Sequence, residues 1–174
     1  MINILIKKKQ LIKDATANNL TEPYFRKARS NLVTMEILNK AEKYKDTLAI
    51  PKDHSTDEWV VVVAYYAMYM AALSILAKMG FRSKSHSATA IALEEFFVKK
   101  KLLDKNQLEN FETAKIRKEE IELLREVKDR REIAQYSVTK KTTKELAEDT
   151  KNTARKFVDD IERILEKMQQ KRMY

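Results

Sequence analysis

The sequence contains no cysteine, one glycine, two prolines and two histidines. Each shortage removes a class of protein. Without cysteine there is no disulfide, no thiolate metal site and no thiol nucleophile. His54 and His86 are too few for a histidine-rich metal cluster, so neither a metal nor a cofactor is expected. Average usage in a chain of this length would supply about 21 glycines and prolines together. Sheet proteins reverse direction through tight turns that depend on those residues, which excludes all-β and α/β folds. Long helices joined by a few short loops remain.

What is present is charge. The 174 residues, the size of one domain, carry 35 Lys and Arg against 26 Asp and Glu, a net charge of +9 with a pI near 9.5. Such an excess suits a polyanionic partner: RNA, DNA, a nucleotide or an acidic protein surface. A charged fraction of 35% is also what well-solvated helix faces present. Met1–Ile6 leads straight into Lys7, Lys8 and Lys9 with no long apolar core or small-residue cleavage site, so a cytoplasmic location is expected.

Residues 1–18 read as one short helix or an arm ahead of the main body. From Thr21, read as an N-cap, with Pro23 in the first turn, Phe25, Ala28, Leu32, Met35 and Leu38 recur at steps of three and four, a helical stripe that Pro51 ends. Ser55 with Glu58 three residues later is a capping box. It opens a helix from Trp59 to Met79, closed by Gly80. Nineteen of its residues, Trp59 to Ala77, carry no charge, which is long enough to span a bilayer. Tyr65, Tyr66 and Tyr69 fall mid-span rather than at interfaces, and the amphipathic helices on either side need an apolar centre. The segment therefore reads as a buried central helix.

A shorter helix follows through Ala88 to Val98. Asp104 with Gln107 caps a long helix whose predicted stripe is Ile116, Glu120, Leu124, Val127, Arg131 and Ala134. A third capping box, Thr142 to Glu145, opens the last helix, with a stripe at Leu146, Thr150, Ala154, Phe157, Ile161, Leu165 and Met168. The expected fold is all-α: an antiparallel four-helix up-and-down bundle with an additional short N-terminal helix. Residues 1–20 form the arm and 21–174 the bundle.

Three features bear on chemistry. Arg131 falls on the apolar stripe of its helix, where a lone buried charge costs several kcal/mol. It either pairs with a carboxylate, its stem packed and its head at the rim, or lines a cleft that receives an anion. Ala64, Ala67, Ala71 and Ser74 form a smooth face for close helix approach, while Tyr65 and Tyr69 project elsewhere and seek polar partners. The basic, hydroxyl-rich run Arg82-Ser83-Lys84-Ser85-His86-Ser87 enters a helix start, where backbone N–H groups suit a phosphate and Ser85 or Ser87 suits an N-cap. The candidate RNA contacts are Arg82, Lys84 and His86 here, with Arg125, Lys128, Arg130 and Arg131 along the long helix.

Ala64-Tyr65-Tyr66-Ala67-Met68-Tyr69, Ala71-Ala72, Ser85-His86-Ser87 and Arg131-Glu132-Ile133-Ala134-Gln135-Tyr136 together resemble the HEPN superfamily over about residues 22–168. The resemblance implies a homodimeric helical bundle that binds RNA or nucleotide. Many members are metal-independent ribonucleases, often the toxin of a toxin–antitoxin pair whose partner is a minimal nucleotidyltransferase. Their active motif is an Arg, four to six residues, then a His. Carried onto this chain, the Arg is Arg131 and the His position holds Tyr136. A histidine near pKa 6.5 can exchange protons at neutral pH, whereas a phenol near 10 is a poor base there. Tyr136 can instead donate a hydrogen bond to a phosphate or accept an adenylyl group. Two functions follow: a dimeric RNA- or nucleotide-binding module paired with a nucleotidyltransferase, or a ribonuclease using Arg131 with Tyr136 or His86.

Overall fold

The computed structural model describes residues 1–129 and 143–170. The elements run α1 (Ile2–Lys7), β1 (Leu11–Lys13), α2 (Thr21–Ala41), α3 (Asp57–Lys78), β2 (Phe81–Ser83), α4 (His86–Leu93), α5 (Lys105–Asp129) and α6 (Thr143–Gln170), with 3₁₀ turns at Ala15–Leu20 and Glu42–Tyr44. The chain is mostly helical, as its turn-poor composition requires. Two three-residue strands add a small sheet that the expectation did not include.

The fold is organised around α3, which packs against α2, α5 and α6. Among the described residues it is the one helix long and apolar enough to cross a membrane, and 78% of that apolar window is buried by the rest of the chain. Four valines in its first two turns oppose helix only weakly, by about 0.5 kcal/mol each. Burial repays that, since each large apolar side chain removed from water contributes about 1.5–3 kcal/mol. Ala64, Ala67, Ala71 and Ser74 are fully buried, and Ser74 Oγ donates to the Ala71 carbonyl at 2.7 Å, so the hydroxyl is satisfied inside the helix. The stripes expected on α2 and α6 are the buried ones: Ala28, Leu32 and Met35 on the first, Thr150, Ala154, Phe157, Ile161 and Leu165 on the second. Arg29 ties them together through Asp159 at 2.7 Å and Glu162, as does Arg155 through Glu36.

Three local expectations are corrected. Ser55 is not the N-cap residue of α3, although its Oγ accepts the Asp57 N–H at 3.2 Å. Thr56 stands at the N-cap, its N–H donating to Glu42 Oε1 at 2.6 Å and its Oγ1 to the Leu38 carbonyl at 2.8 Å. Contacts to the end of α2 thus outcompete the local box. Thr21 is likewise the first residue of α2 rather than its cap. On α5 the buried face is Gln107, Phe111, Ala114 and Ile121, while Ile116 is 57% exposed. Phe111 buries more apolar area than an isoleucine can, and it sets the helix's rotation.

The arm is joined to the body by main-chain bonds. Gly80, at φ +81°, reverses the chain out of α3, a left-handed conformation open to glycine without a Cβ penalty. β2 then pairs antiparallel with β1 in the register Leu11↔Ser83, Ile12↔Arg82 and Lys13↔Phe81. Asp14 N–H donates to the Gly80 carbonyl at 2.8 Å and Lys84 N–H to the Gln10 carbonyl at 2.9 Å, extending the ladder at both ends. Leu11 is fully buried beneath it, with Leu5 and Ala17 also in the core.

Candidate functional site

Where α3, α4 and α5 meet, three rings gather around His86. Its imidazole lies 4.3 Å from the Phe111 ring, 5.7 Å from Tyr65 and 6.2 Å from Tyr69 by centroids. Tyr65 and Tyr69, one turn apart on α3, stack at 5.9 Å with planes 10° apart. Ser85 fixes the start of α4 by accepting the Ala88 N–H at 3.2 Å, which turns His86, the first helical residue, onto this cluster. The Tyr65 hydroxyl stands 3.3 Å from His86 Nδ1, and Nε2 is buried with no hydrogen-bond partner among the described residues.

The electrostatics follow from burial. Desolvation, with the Lys115 cation nearby, pushes the His86 pKa down to about 4 despite the opposing Glu119 carboxylate. The ring is therefore neutral at physiological pH. Burial raises the Tyr65 phenol, and the neighbouring tyrosines Tyr69 and Tyr66 with Glu119 and Glu122 raise it further; burial also raises Tyr69. Both hydroxyls remain protonated. Lys118 closes the outer side, its ammonium 5.9 Å from the Tyr65 ring and 5.7 Å from Tyr66, and 2.5 Å from Glu122. Burial opposes its charge, but Glu122, Tyr66 and Glu119 outweigh that and its pKa rises. At neutral pH this is an uncharged aromatic centre.

The predicted contacts divide into three groups. Arg82, Lys84 and His86 lie together at the junction of β2 and α4. Arg82 is held by Asp14 at 2.6 Å and by Thr16 at 3.2 Å, and two hydrogen bonds from Thr16, then Arg82, keep the Asp14 carboxyl below its ordinary range. Lys84 is exposed. Arg125 and Lys128 lie in the last turns of α5, 14 and 17 residues beyond Phe111. At 1.5 Å per residue that is about 20–25 Å along the axis from His86. Arg130, Arg131 and Tyr136 lie outside the described residues. Lys118 and Phe111 were not singled out by the sequence. The Lys118-to-Glu122 spacing of four was the available signal, and it reads as an ordinary surface pair.

A cavity of about 1100 Å³ opens between the end of α2 and the start of α6, lined among others by Glu42, Lys43, Asp57, Glu148 and Lys151. Its carboxylates repel a polyanion. Among the described residues no three His, Asp or Glu side chains converge as metal ligands do.

A mostly helical chain wrapped on one buried helix, with the tyrosine and Ser-His-Ser segments folded together, belongs to the class of small helical-bundle proteins. A family model, the HEPN domain, matches residues 34–165, and the chain belongs to the HEPN family. That membership gives it an RNA- or nucleotide-related function. No curated protein and no solved structure matches the chain.

Proposed function

We propose that the protein is a cytoplasmic homodimer of antiparallel up-and-down four-helix HEPN bundles that binds RNA or a nucleotide without cleaving it. Its partner is a nucleotidyltransferase, in a toxin–antitoxin type of system. The observation that carries this reading is Tyr136, which occupies the position of the family's proton-exchanging histidine, five residues after Arg131. The remaining candidate for that role, His86, is half-buried, and desolvation pushes its pKa down to about 4, well below the neutral range where a general base works best. Arg131 retains the charge to hold a phosphate, and Tyr136 supplies a hydrogen bond to the same anion.

The test is a cleavage and binding assay on the full chain with total RNA in EDTA. Wild type binds in a salt-dependent way and leaves the RNA intact, Arg131→Ala weakens binding, and Tyr136→Phe costs about 0.5–1.5 kcal/mol for one hydrogen bond. Tyr136→His creates cleavage. Efficient cutting by wild type, lost in Tyr136→Phe, overturns the binding reading in favour of a ribonuclease. Light scattering gives a dimer mass at micromolar concentration, and a nucleotidyltransferase encoded alongside co-purifies.

A further inference from the structure

We propose that the edge of the β1–β2 clasp is the surface on which single-stranded RNA lies, its phosphates held by Lys7, Lys8, Lys9 and Lys84. This rests on the RNA reading above and assigns it to a clasp whose first strand, with Lys7–Lys9, precedes the matched residues 34–165 and whose second, with Lys84, lies within them.

The argument is one of charge brought together by register. Lys7–Lys9 and Lys84 are some 75 positions apart in sequence. The Lys84 N–H to Gln10 carbonyl bond, 2.9 Å, sets Lys84 across from Gln10 and beside Lys9. All four side chains are exposed. Residues 1–13 contain no carboxylate, and neither do residues 81–87. Asp14, the first acid in the chain, is already committed to Arg82 and Thr16. Several lysines elsewhere are balanced locally: Lys99, Lys105, Lys115 and Lys118 each sit one turn from a glutamate within 3.2 Å. Among the described residues, none of the four clasp lysines forms an ion pair. The clasp is thus a concentrated share of the net +9.

Lysines on an open edge recognise phosphate as point charges, without a pocket for a base, and this chemistry fits the backbone of a single strand. An anionic membrane would use the same charges, and Met1, Ile4 and Ile6 are exposed nearby. But α1 is six residues long, with Leu5 buried and Ile2 packed on the core. Three partly exposed side chains offer less apolar area than a single myristoyl chain, which by itself anchors only marginally.

The experiment measures anisotropy of a fluorescein-labelled 20-nucleotide oligouridine with the full chain, from 50 to 300 mM KCl. The clasp variant carries Lys7→Gln, Lys8→Gln, Lys9→Asn and Lys84→Gln; asparagine suits position 9, whose φ is +54°. A control with equal charge loss carries Lys27→Gln, Lys40→Gln, Lys99→Gln and Lys105→Gln. Each lost phosphate contact removes about 0.7 from the log–log salt slope. The clasp variant is expected to lose about 2–3 units of slope and at least tenfold in affinity at 100 mM, with the control within about threefold of wild type. Lys84→Gln alone, which leaves the arm untouched, loses about 0.7 and serves if the fourfold variant melts early. Equal losses in clasp and control overturn the clasp as the site while leaving RNA binding intact. Failure of wild type to bind the oligonucleotide overturns the RNA reading itself. Tighter binding to phosphatidylserine vesicles than to RNA, lost in the clasp variant, assigns the surface to a membrane and overturns the proposal.

Discussion

His86 couples its own protonation to folding. Its pKa is about 4 in the folded chain and near 6.5 when exposed, so protons bind preferentially to the unfolded state. Stability is complete above pH 6.5, falls as the pH drops from there toward 4, and levels off below. For a partly buried ring the total loss is about 1–3 kcal/mol. Urea denaturation at pH 7, 5.5 and 4 measures it, and His86→Gln flattens the profile across that window. A His86 ring whose NMR shifts titrate near 6.5 in the folded protein contradicts this account. Gly80 gives a second prediction at the same scale. A Cβ there meets the Asp14 carbonyl oxygen at 3.6 Å, an ordinary contact, so the cost of Gly80→Ala is conformational, about 1–2 kcal/mol. Gly80→Asn costs less, because asparagine tolerates the left-handed region. Chemical denaturation of the two variants ranks them.

Among the elements, the clasp has the most leverage for its size. Leu11→Ala empties a fully buried site and is expected to cost about 2–5 kcal/mol, read as a fall in the urea midpoint with the helical circular dichroism retained. A change under 1 kcal/mol means that the arm is not docked. The clasp was also the least legible element. Leu11-Ile12-Lys13 has no alternation long enough to mark a strand, and its partner lies about 70 residues away. A three-residue strand exists only through pairing, which local pattern does not encode. The elements that carry their own signals were legible: α3 from its unbroken apolar run, its end from Gly80, α4 from Ser85, and α6 from a stripe recurring at steps of three and four. The α5 rotation was not, because Ile116 and Phe111 offer competing registers that only the ring cluster on His86 decides. The same holds for the site. Tyr65, Tyr69 and His86 stood out as residues, but their convergence with Phe111 and Lys118 depends on how three helices pack.

In the molecule as a whole, the helix that holds everything together is also the one least able to exist alone. The apolar window of α3 is covered chiefly by α2, before it in the chain, and by α5 and α6, after it. During synthesis α3 is complete at Lys78, and roughly ninety further residues must be made before α6 is finished at Gln170. At 5–20 residues per second this leaves about 5–20 s in which an uncharged helical segment of membrane-spanning length has only part of its cover. Until the last helix arrives, such a nascent chain presents the cell's sorting machinery with a segment of the length and apolarity of a membrane span. Chaperone capture at the ribosome is the expected outcome, and a fragment ending at residue 129 is expected to aggregate or enter membranes when expressed. Co-expression of residues 143–174 as a separate peptide should return it to the supernatant. A fragment 1–129 that stays soluble and monomeric without that peptide shows that α3 finds its cover earlier than α6.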